Sequence, residues 1–224
     1  MDIVIFDIQD VGARFYTYIS TMSYVMQACA EQNIPFLVLD RPNPNGNYVD
    51  GPVLEQTHSS FVGLHEVPTV HGMTVGEYAQ MVNGLHWLGD NLKVDLTVVP
   101  CKNYTRDKEY VLPVKPSPNL PNNLSIYLYP SLCLFEGTQV SVGRGTDHQF
   151  QVIGHPESSI GDYRFTPISK PGATNPKYKN KECRGFDLSV LNQVAEHQKG
   201  EMNLQYLIDF YNDSRDKDLS LIHI

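Results

Sequence analysis

The sequence predicts an α/β fold: a Rossmann-like three-layer domain with a mostly parallel sheet, followed by the start of a smaller α+β domain. Near-continuous apolar runs at residues 2–7 and 35–40 each end in an acidic residue, a pattern typical of strands buried on both faces. Between them, residues 15–32 place apolar side chains at helical spacing. A strand, a helix and a strand in this order predict a βαβ unit with parallel strands and a right-handed crossover.

The alternation of helices and strands continues along the chain. Thr74 and Glu77 stand at the spacing of a capping box, which predicts a helix from residue 74 to about residue 89. The apolar run at 95–99 is the next predicted strand. Later segments with an apolar pattern are a short helix around residues 124–134, two strand-like runs at 138–142 and 150–153, and two amphipathic helices near 188–198 and 202–211.

These elements suggest two domains and a foreign tail. We expect residues 1–153 to form most of the α/β domain, without its upstream part, and residues 154–218 to begin a second domain that is incomplete. Residues 219–224 match the translation of a transposon-end adapter used in sequencing libraries, so we interpret them as a scar. The alternative is an ordinary apolar strand at the C-terminus.

Composition excludes several classes of function. The formal net charge is -8 and the chain has no run of Lys and Arg, so it is a poor candidate for binding nucleic acid or anionic lipid. No apolar stretch approaches the roughly 18–20 residues needed to span a bilayer. The four cysteines form no metal-binding cluster, and we interpret them as small core residues. We predict neither a metal nor a cofactor.

Charged and polar residues follow the predicted strands at the edge where an open parallel sheet binds its ligands. The candidate catalytic residues are Asp7, Asp10, His71 and Glu136, and the candidate substrate-binding residues are Arg14, Tyr16, Asp40, Arg41, Asn43, Asn119 and Arg144. Bringing so many polar groups together costs free energy unless they form hydrogen bonds or ion pairs with one another or bind a ligand. A binding cleft therefore competes with a purely structural network of ion pairs.

The carboxylates in this set suit cleavage of a glycosidic bond. Such cleavage usually needs an acid and a second carboxylate, about 5–5.5 Å or about 6.5–9.5 Å apart according to stereochemistry. Asp7, Asp10, Asp40 and Glu136 could supply them, and proximity of Asp7 to Asp10 could raise the pKa of one carboxyl group. His71 could be an acid, a base or simply a structural residue.

Two weaker patterns concern substrate recognition. Gly143-Arg144-Gly145 could form a backbone nest for an anionic group, or an ordinary β-turn. Aromatic rings such as Tyr16, Tyr18 and Tyr129 could stack on a sugar, although most tyrosines serve as amphipathic core and surface residues.

Several strings, taken in order, resemble one bacterial family of exo-β-N-acetylmuramidases. They are Phe6-Asp7-Ile8-Gln9-Asp10-Val11-Gly12-Ala13-Arg14-Phe15-Tyr16-Thr17-Tyr18, Leu39-Asp40-Arg41-Pro42-Asn43-Pro44, His71-Gly72-Met73-Thr74, Ser117-Pro118-Asn119, Leu134-Phe135-Glu136-Gly137-Thr138 and Gly143-Arg144-Gly145-Thr146. The resemblance covers residues 1–156 strongly and the remainder loosely.

The resemblance implies a glycosidase that releases N-acetylmuramic acid from the non-reducing end of peptidoglycan fragments. It also implies a Rossmann-like domain joined to a smaller domain, with the substrate cleft between them. Localisation would be periplasmic or extracellular in the full-length protein, with a cytoplasmic location still open. The glutamate usually favoured as the family's catalytic acid lies in an upstream Pro-Glu-His-Gly string that is absent here, so we expect the fragment to be inactive.

Three other functions compete with this one. A non-catalytic peptidoglycan- or sugar-binding protein could use the same scaffold. A nucleotide-binding Rossmann enzyme would need a glycine-rich phosphate loop, and no such motif follows either early strand. A metal-dependent hydrolase could use Asp7 and Asp10, but no suitable ligand spacing supports it. The sequence leaves the oligomeric state open.

Overall fold

The computed structural model describes residues 1–89 and 91–215. The chain divides into two compact units, Met1–Tyr110 and the residues from Val111 onward.

The first unit is a parallel α/β layer structure. Its elements are β1 (Val4–Phe6), α1 (Tyr18–Glu31), β2 (Phe36–Leu39), α2 (Val75–Gly84) and β3 (Leu96–Val99). The strands lie in the order β1-β2-β3 and both pairs are parallel. The α/β class, the parallel sheet and the two helices predicted from the apolar runs are therefore confirmed.

The core of this unit lies between one face of the sheet and the two helices. Phe6, Phe36 and Val38 belong to the same buried cluster as Met22 of α1 and Tyr78 of α2. Because strand residues alternate between faces, these side chains share one side of the sheet. The described elements thus supply two layers of the expected three, the sheet and one helical layer.

The opposite face of the sheet is apolar and open. Ile5 pairs in register with Leu37, and Leu39 with Val99, which places these four residues on the side away from the buried cluster. Ile5 is 56% exposed and Val99 is 47% exposed. Parallel sheets are normally covered on both faces. In the described residues this face carries apolar side chains in contact with solvent.

The predicted capping box starts α2. The Thr74 hydroxyl accepts a hydrogen bond from the Glu77 amide (3.2 Å), and the Glu77 carboxylate accepts one from the Thr74 amide (2.9 Å). Two of the amides that a helix leaves without intrahelical partners are thereby satisfied. This local device fixes the start of the helix at the carboxyl edge of the sheet.

The second unit is an antiparallel α+β structure. Its elements are α3 (Asn123–Leu132) with a 3-10 turn at Cys133–Gly137, β4 (Val152–His155), β5 (Tyr163–Phe165), β6 (Cys183–Asp187), α4 (Gln193–Lys199) and α5 (Gln205–Asp213). The strands lie in the order β4-β6-β5. The three predicted helices are present. The predicted strand at 138–142 was wrong: this segment contributes a single bridge, from Ser141 to Gly154.

The structure draws the domain boundary earlier than residue 153. β4 begins at Val152 and pairs with β6, so the segment before it belongs to the same unit as the segment after it. The pairing of β4 with β6 joins residues about 30 positions apart, and neither β5 nor β6 was foreseen. The tail at 219–224 lies outside the described residues.

Some broader expectations can be compared with these units. Cys29, Cys133 and Cys183 are buried free thiols, in keeping with their interpretation as small core residues. None of the described helices is long and apolar enough to cross a membrane.

Candidate functional site

The carboxyl edge of the parallel sheet holds most of the predicted site residues of the first unit. Asp7, Asp10 and Arg14 follow β1, Asp40, Arg41 and Asn43 follow β2, and His71 precedes α2. Their contacts divide these side chains into two sets: some bind neighbouring loops, and others are accessible to a ligand.

Asp40 ties β2 to the start of α2. One carboxylate oxygen accepts hydrogen bonds from the amides of Arg41 (2.9 Å) and Gly76 (2.8 Å), and the other accepts one from the Thr74 hydroxyl (2.8 Å). A carboxylate at a helix N-terminus is favoured by the unpaired amides and by the helix dipole. These contacts give Asp40 a structural task at this edge.

Asn43 and Arg14 are buried, and their side chains bind main-chain atoms of the surrounding loops. The Asn43 side chain donates to the carbonyl of Met73 (2.9 Å) and accepts from the Asn45 amide (2.9 Å). Arg14 donates to the carbonyls of Pro52 (3.0 Å) and Val67 (2.5 Å). A buried guanidinium that binds main-chain carbonyls fixes distant segments of the chain to one another.

Tyr16 follows Arg14 by two residues in the same loop. Its ring packs edge-on against Tyr18 with centroids 5.2 Å apart. Burial, with smaller contributions from Tyr18 and the Asp10 carboxylate, raises the pKa of the Tyr16 phenol well above its ordinary value. The phenol therefore stays protonated and can donate a hydrogen bond at any physiological pH.

Asp7 and Arg41 form an exposed ion pair at the same edge. Two nitrogens of Arg41, Nε and Nη2, approach one Asp7 oxygen at 2.8 Å and 2.7 Å. The two side chains are 40% and 49% exposed, with Asp7 the more exposed of them. Exposed pairs of this kind contribute about 0–1 kcal/mol, so a ligand can exchange partners with either member at low cost.

Asp10 and His71 form a buried pair. His71 Nε2 lies 3.7 Å from Asp10 Oδ2, and both side chains are more than nine-tenths buried. Asp10 Oδ2 accepts from the Gly12 amide (2.7 Å), and His71 Nδ1 accepts from the Met73 amide (3.2 Å). An imidazole that accepts at Nδ1 carries its proton on Nε2, which here faces the carboxylate.

The polar contacts of this pair are incomplete. Asp10 Oδ1 and His71 Nε2 are buried, and neither has a hydrogen-bond partner among the described residues. Buried polar atoms without a hydrogen-bond partner are rare in folded proteins, and each one calls for an explanation, such as a functional role. Gly12 is needed beside them: its φ is +78°, and a Cβ there would lie 2.2 Å from the Asn43 amide oxygen.

A buried histidine and tyrosine extend this region inward. The His65 ring lies 3.1 Å from the Tyr78 hydroxyl, and Tyr78 packs edge-on against His71 with centroids 5.2 Å apart. Burial lowers the pKa of His65 to about 4 and raises that of the Tyr78 phenol. Both groups are therefore neutral at physiological pH, so neither ring adds a charge to this buried region.

The second unit has its own polar pocket, of about 80 Å³, lined by Glu136, Ser141, Val142, Arg144 and Lys177. Arg144 forms an ion pair with Glu136, and both are about one third exposed. Arg144 also lies over the Phe150 ring, 5.4 Å from its centroid. The aromatic face holds the guanidinium in place and leaves its remaining edge available for hydrogen bonding.

Lys177 was not anticipated from the sequence. Its ammonium donates to the carbonyls of Phe135 (3.1 Å), Glu136 (3.0 Å) and Thr138. Burial lowers its pKa, and the Glu136 carboxylate opposes that effect. An ammonium has three protons, and these three carbonyls can take all of them, so Lys177 fixes the 3-10 turn that presents Glu136. Its place among scattered prolines and lysines gave no local signal.

Two further predicted features of this unit are structural in form. At Gly143-Arg144-Gly145 the Thr146 amide donates to the Gly143 carbonyl (3.0 Å), which closes a β-turn rather than an open nest. Asn119 donates to the Gly172 carbonyl (3.0 Å) and joins two loops.

The hypothesis that all candidate residues line one cleft stays a prediction, since eight of them lie in the first unit and Asn119, Glu136 and Arg144 lie in the second. Within each unit the structure brings together the pairs Asp7–Arg41, Asp10–His71 and Glu136–Arg144. In the described part of the chain no group of three or more His, Cys, Asp and Glu side chains could hold a metal ion.

The chain is thus a two-unit α/β protein. Its Rossmann-like unit has carboxylates and an arginine at the carboxyl edge of the sheet, and its α+β unit has a carboxylate–guanidinium pocket. The profile of the family described as exo-beta-N-acetylmuramidase NamZ matches this chain twice, its N-terminal part at residues 1–124 and its C-terminal part at residues 127–222. The chain belongs to the NamZ family.

Individual relatives agree. The chain is 45% identical to the peptidoglycan beta-N-acetylmuramidase NamZ of Bacillus subtilis, in an alignment that covers 85% of this chain and 49% of that protein. It also resembles two crystal structures of DUF1343 family proteins from Bacteroides fragilis. The first has a TM-score of 0.93 at 56% identity and covers 98% of this chain and 62% of the other. The second has a TM-score of 0.75 at 29% identity and covers 95% and 60%.

Proposed function

We propose that this chain is part of a glycosidase that releases N-acetylmuramic acid from the non-reducing end of peptidoglycan fragments. Family membership and the name of the Bacillus subtilis relative support a muramidase activity. The chain spans about half the length of that relative. The proposal therefore concerns the whole enzyme, and the described units supply part of its site.

The observation that carries the proposal is the Glu136–Arg144 pocket. N-acetylmuramic acid differs from N-acetylglucosamine by a lactyl ether that ends in a carboxylate. A guanidinium recognises a carboxylate through paired, charge-assisted hydrogen bonds. Arg144 is partly exposed and held by Phe150. We infer that Arg144 binds the lactyl carboxylate and that Arg41, in its exposed pair with Asp7, is the second candidate for this contact.

Burial divides the four candidate catalytic residues into two classes. Asp7 has an exposed carboxylate and Glu136 a partly exposed one, and both could contact a substrate directly. Asp10 and His71 are buried and would act through a neighbouring group, by orienting it or by adjusting its charge. We therefore propose Asp7 and Glu136 as substrate-facing carboxylates and the Asp10–His71 pair as their support.

A comparison of two glycosides tests this proposal. The enzyme made from its complete reading frame should hydrolyse a chromogenic glycoside of N-acetylmuramic acid much faster than the matching N-acetylglucosamine glycoside. Arg144→Ala should remove most of that preference, with a loss of about 1.5–3 kcal/mol typical for a charge-assisted contact. Arg106→Ala is the control, because Arg106 is also a partly exposed arginine in an ion pair with a glutamate, Glu77.

Two results would argue against the assignment. Equal turnover of the two glycosides by the wild-type enzyme would exclude recognition of the carboxylate. A full preference retained by both Arg144→Ala and Arg41→Ala would place that recognition elsewhere. Activity of the 224-residue chain itself is a separate measurement: a Pro-Glu-His-Gly string does not occur in it, so we expect it to turn over little substrate.

The second candidate is a peptidoglycan- or sugar-binding protein without catalysis. The pockets that could recognise a sugar are present in the described units, which favours binding even where turnover is lost. Sedimentation of the chain with purified peptidoglycan, combined with an assay for released sugar, separates the two functions. We also propose a periplasmic or extracellular location for the full-length protein, which cell fractionation would test.

A further inference from the structure

A second pocket lies in the first unit, away from the carboxyl edge of the sheet. It has a volume of about 390 Å³ and is bordered by α1, by the segment 56–66 and by the turn 86–89 that follows α2. The carboxyl-edge residue Asp40 binds the opposite, N-terminal end of α2. With a rise of about 1.5 Å per residue, the ten residues of α2 separate the two places by about 15 Å.

Aromatic rings form much of this pocket's wall. Trp87 lines it and is stacked on the buried His65, with centroids 5.2 Å apart and planes at 17°. Tyr24 lines it from α1 and is itself stacked on Phe61, with planes at 3°. Tyr24 and Phe61 are 48% and 47% exposed. These stacked pairs hold two flat, partly exposed aromatic surfaces at one opening.

The polar groups of the pocket are mostly uncharged. Gln27, Gln56 and Ser59 offer amide and hydroxyl groups, Glu66 adds one carboxylate, and His86 adds an exposed imidazole. Burial keeps His65 neutral, since its pKa is lowered to about 4. No Lys or Arg is among the described residues that line the pocket. An anionic ligand would meet a carboxylate here without a permanent cation to balance it.

We propose that this pocket is a second glycan site, which binds an uncharged N-acetylated pyranose of the N-acetylglucosamine type. The apolar C–H face of a pyranose packs on an aromatic ring, while its hydroxyl and acetamido groups bond to amides and carboxylates at the rim. Peptidoglycan contains this sugar beside every muramic acid, so the choice of glycan rests on the proposed function. The pocket would hold a neutral unit of the same polymer whose anionic unit occupies the catalytic site.

Trp87 makes the test direct, because it is the only tryptophan of the chain. Titration of the 224-residue chain with chitotriose should give a saturable change in tryptophan fluorescence, with a Kd on the order of 1 mM. Free N-acetylmuramic acid should bind at least about fivefold more weakly than N-acetylglucosamine, which corresponds to roughly 1 kcal/mol.

Variants locate the signal. Tyr24→Ala and Gln27→Ala should each weaken chitotriose binding several-fold, and Tyr24→Phe should retain it because the ring face remains. Tyr211→Ala is the matched control, as Tyr211 is similarly exposed, at 47%, in the second unit. Circular dichroism of each variant shows whether it is folded, and Gln27→Ala keeps the proposal falsifiable if Tyr24→Ala unfolds.

The outcomes separate this site from the proposed function. Saturable chitotriose binding in a protein whose complete form lacks muramidase activity would support the site and remove only its link to peptidoglycan. Muramidase activity without any chitotriose-dependent signal would overturn the site alone. Equal responses to a peptidoglycan stem peptide and to chitotriose, or an unchanged affinity in Tyr24→Ala, would also overturn it.

Discussion

Replacing Gly76 by alanine should push the start of α2 away from Asp40, the residue that follows β2. A Cβ at this position would lie 2.7 Å from the Asp40 carboxyl carbon and 2.7 Å from a methyl group of Val98. Neither neighbour can yield easily: Asp40 is held by three hydrogen bonds, and Val98 packs against the buried cluster. The methyl group must therefore move the helix and stretch the 2.8 Å bond from the Gly76 amide.

The magnitude follows from three contributions. Overpacking of a tight site costs about 1–3 kcal/mol, and weakening a charge-assisted hydrogen bond costs about 1 kcal/mol more. Alanine recovers about 1 kcal/mol through its higher helix propensity. The net expectation is a loss of about 2 kcal/mol in the free energy of unfolding. Gly84 is the control, because it ends the same helix and an added Cβ would meet nothing within 4 Å.

Urea unfolding followed by tryptophan fluorescence measures the effect, since Trp87 reports on the first unit. With a slope of about 2 kcal/mol per molar urea, the midpoint of Gly76→Ala should fall by about 1 M. Gly84→Ala should be neutral or slightly more stable. If both variants unfold at the same urea concentration, the close approach of α2 to Asp40 is not present, and Asp40 returns to the set of ligand-binding candidates.

Three further predictions concern buried groups. Arg14→Met should destabilise the first unit by about 2–4 kcal/mol, because the carbonyls of Pro52 and Val67 lose a charged donor; thermal unfolding measures this, and a loss below about 1 kcal/mol would contradict it. His65 has a folded-state pKa lowered from 6.5 to about 4, so stability should be level above pH 6.5, fall by about 3 kcal/mol as the pH drops to 4, and fall less in His65→Gln. An identical pH profile for the two proteins would refute that account. Lys177→Met should speed amide hydrogen exchange in the turn Cys133–Gly137, whereas Lys179→Met, whose ammonium bonds one exposed carbonyl, should not.

The elements that the sequence predicted correctly are those fixed by local signals. The apolar runs at β1 and β2 and the capping box at Thr74 act within a few residues, so the parallel unit could be inferred. β5 and β6 were missed because they are three and five residues long and form only by pairing with a distant strand. A short strand with a mixed polar pattern carries little periodicity of its own.

The candidate site shows the same division. The sequence indicated which residues stand at strand ends, and the structure pairs Asp7 with Arg41 and Asp10 with His71 there. It could not show that Arg14 would bind main-chain carbonyls 38 and 53 residues away. Every residue has a main-chain carbonyl, so the sequence does not indicate which carbonyl a given side chain will bind.

The open apolar face of the parallel sheet has a practical consequence for experiments on this chain. Ile5 and Val99 present a flat hydrocarbon surface that can pair with the same surface on a second molecule. The concentration of such a dimer rises with the square of the monomer concentration, so the apparent free energy of unfolding would increase in concentrated samples. Every quantitative measurement should therefore include a dilution series or an Ile5→Lys variant. Either control separates the properties of the monomer from those of a self-associated form.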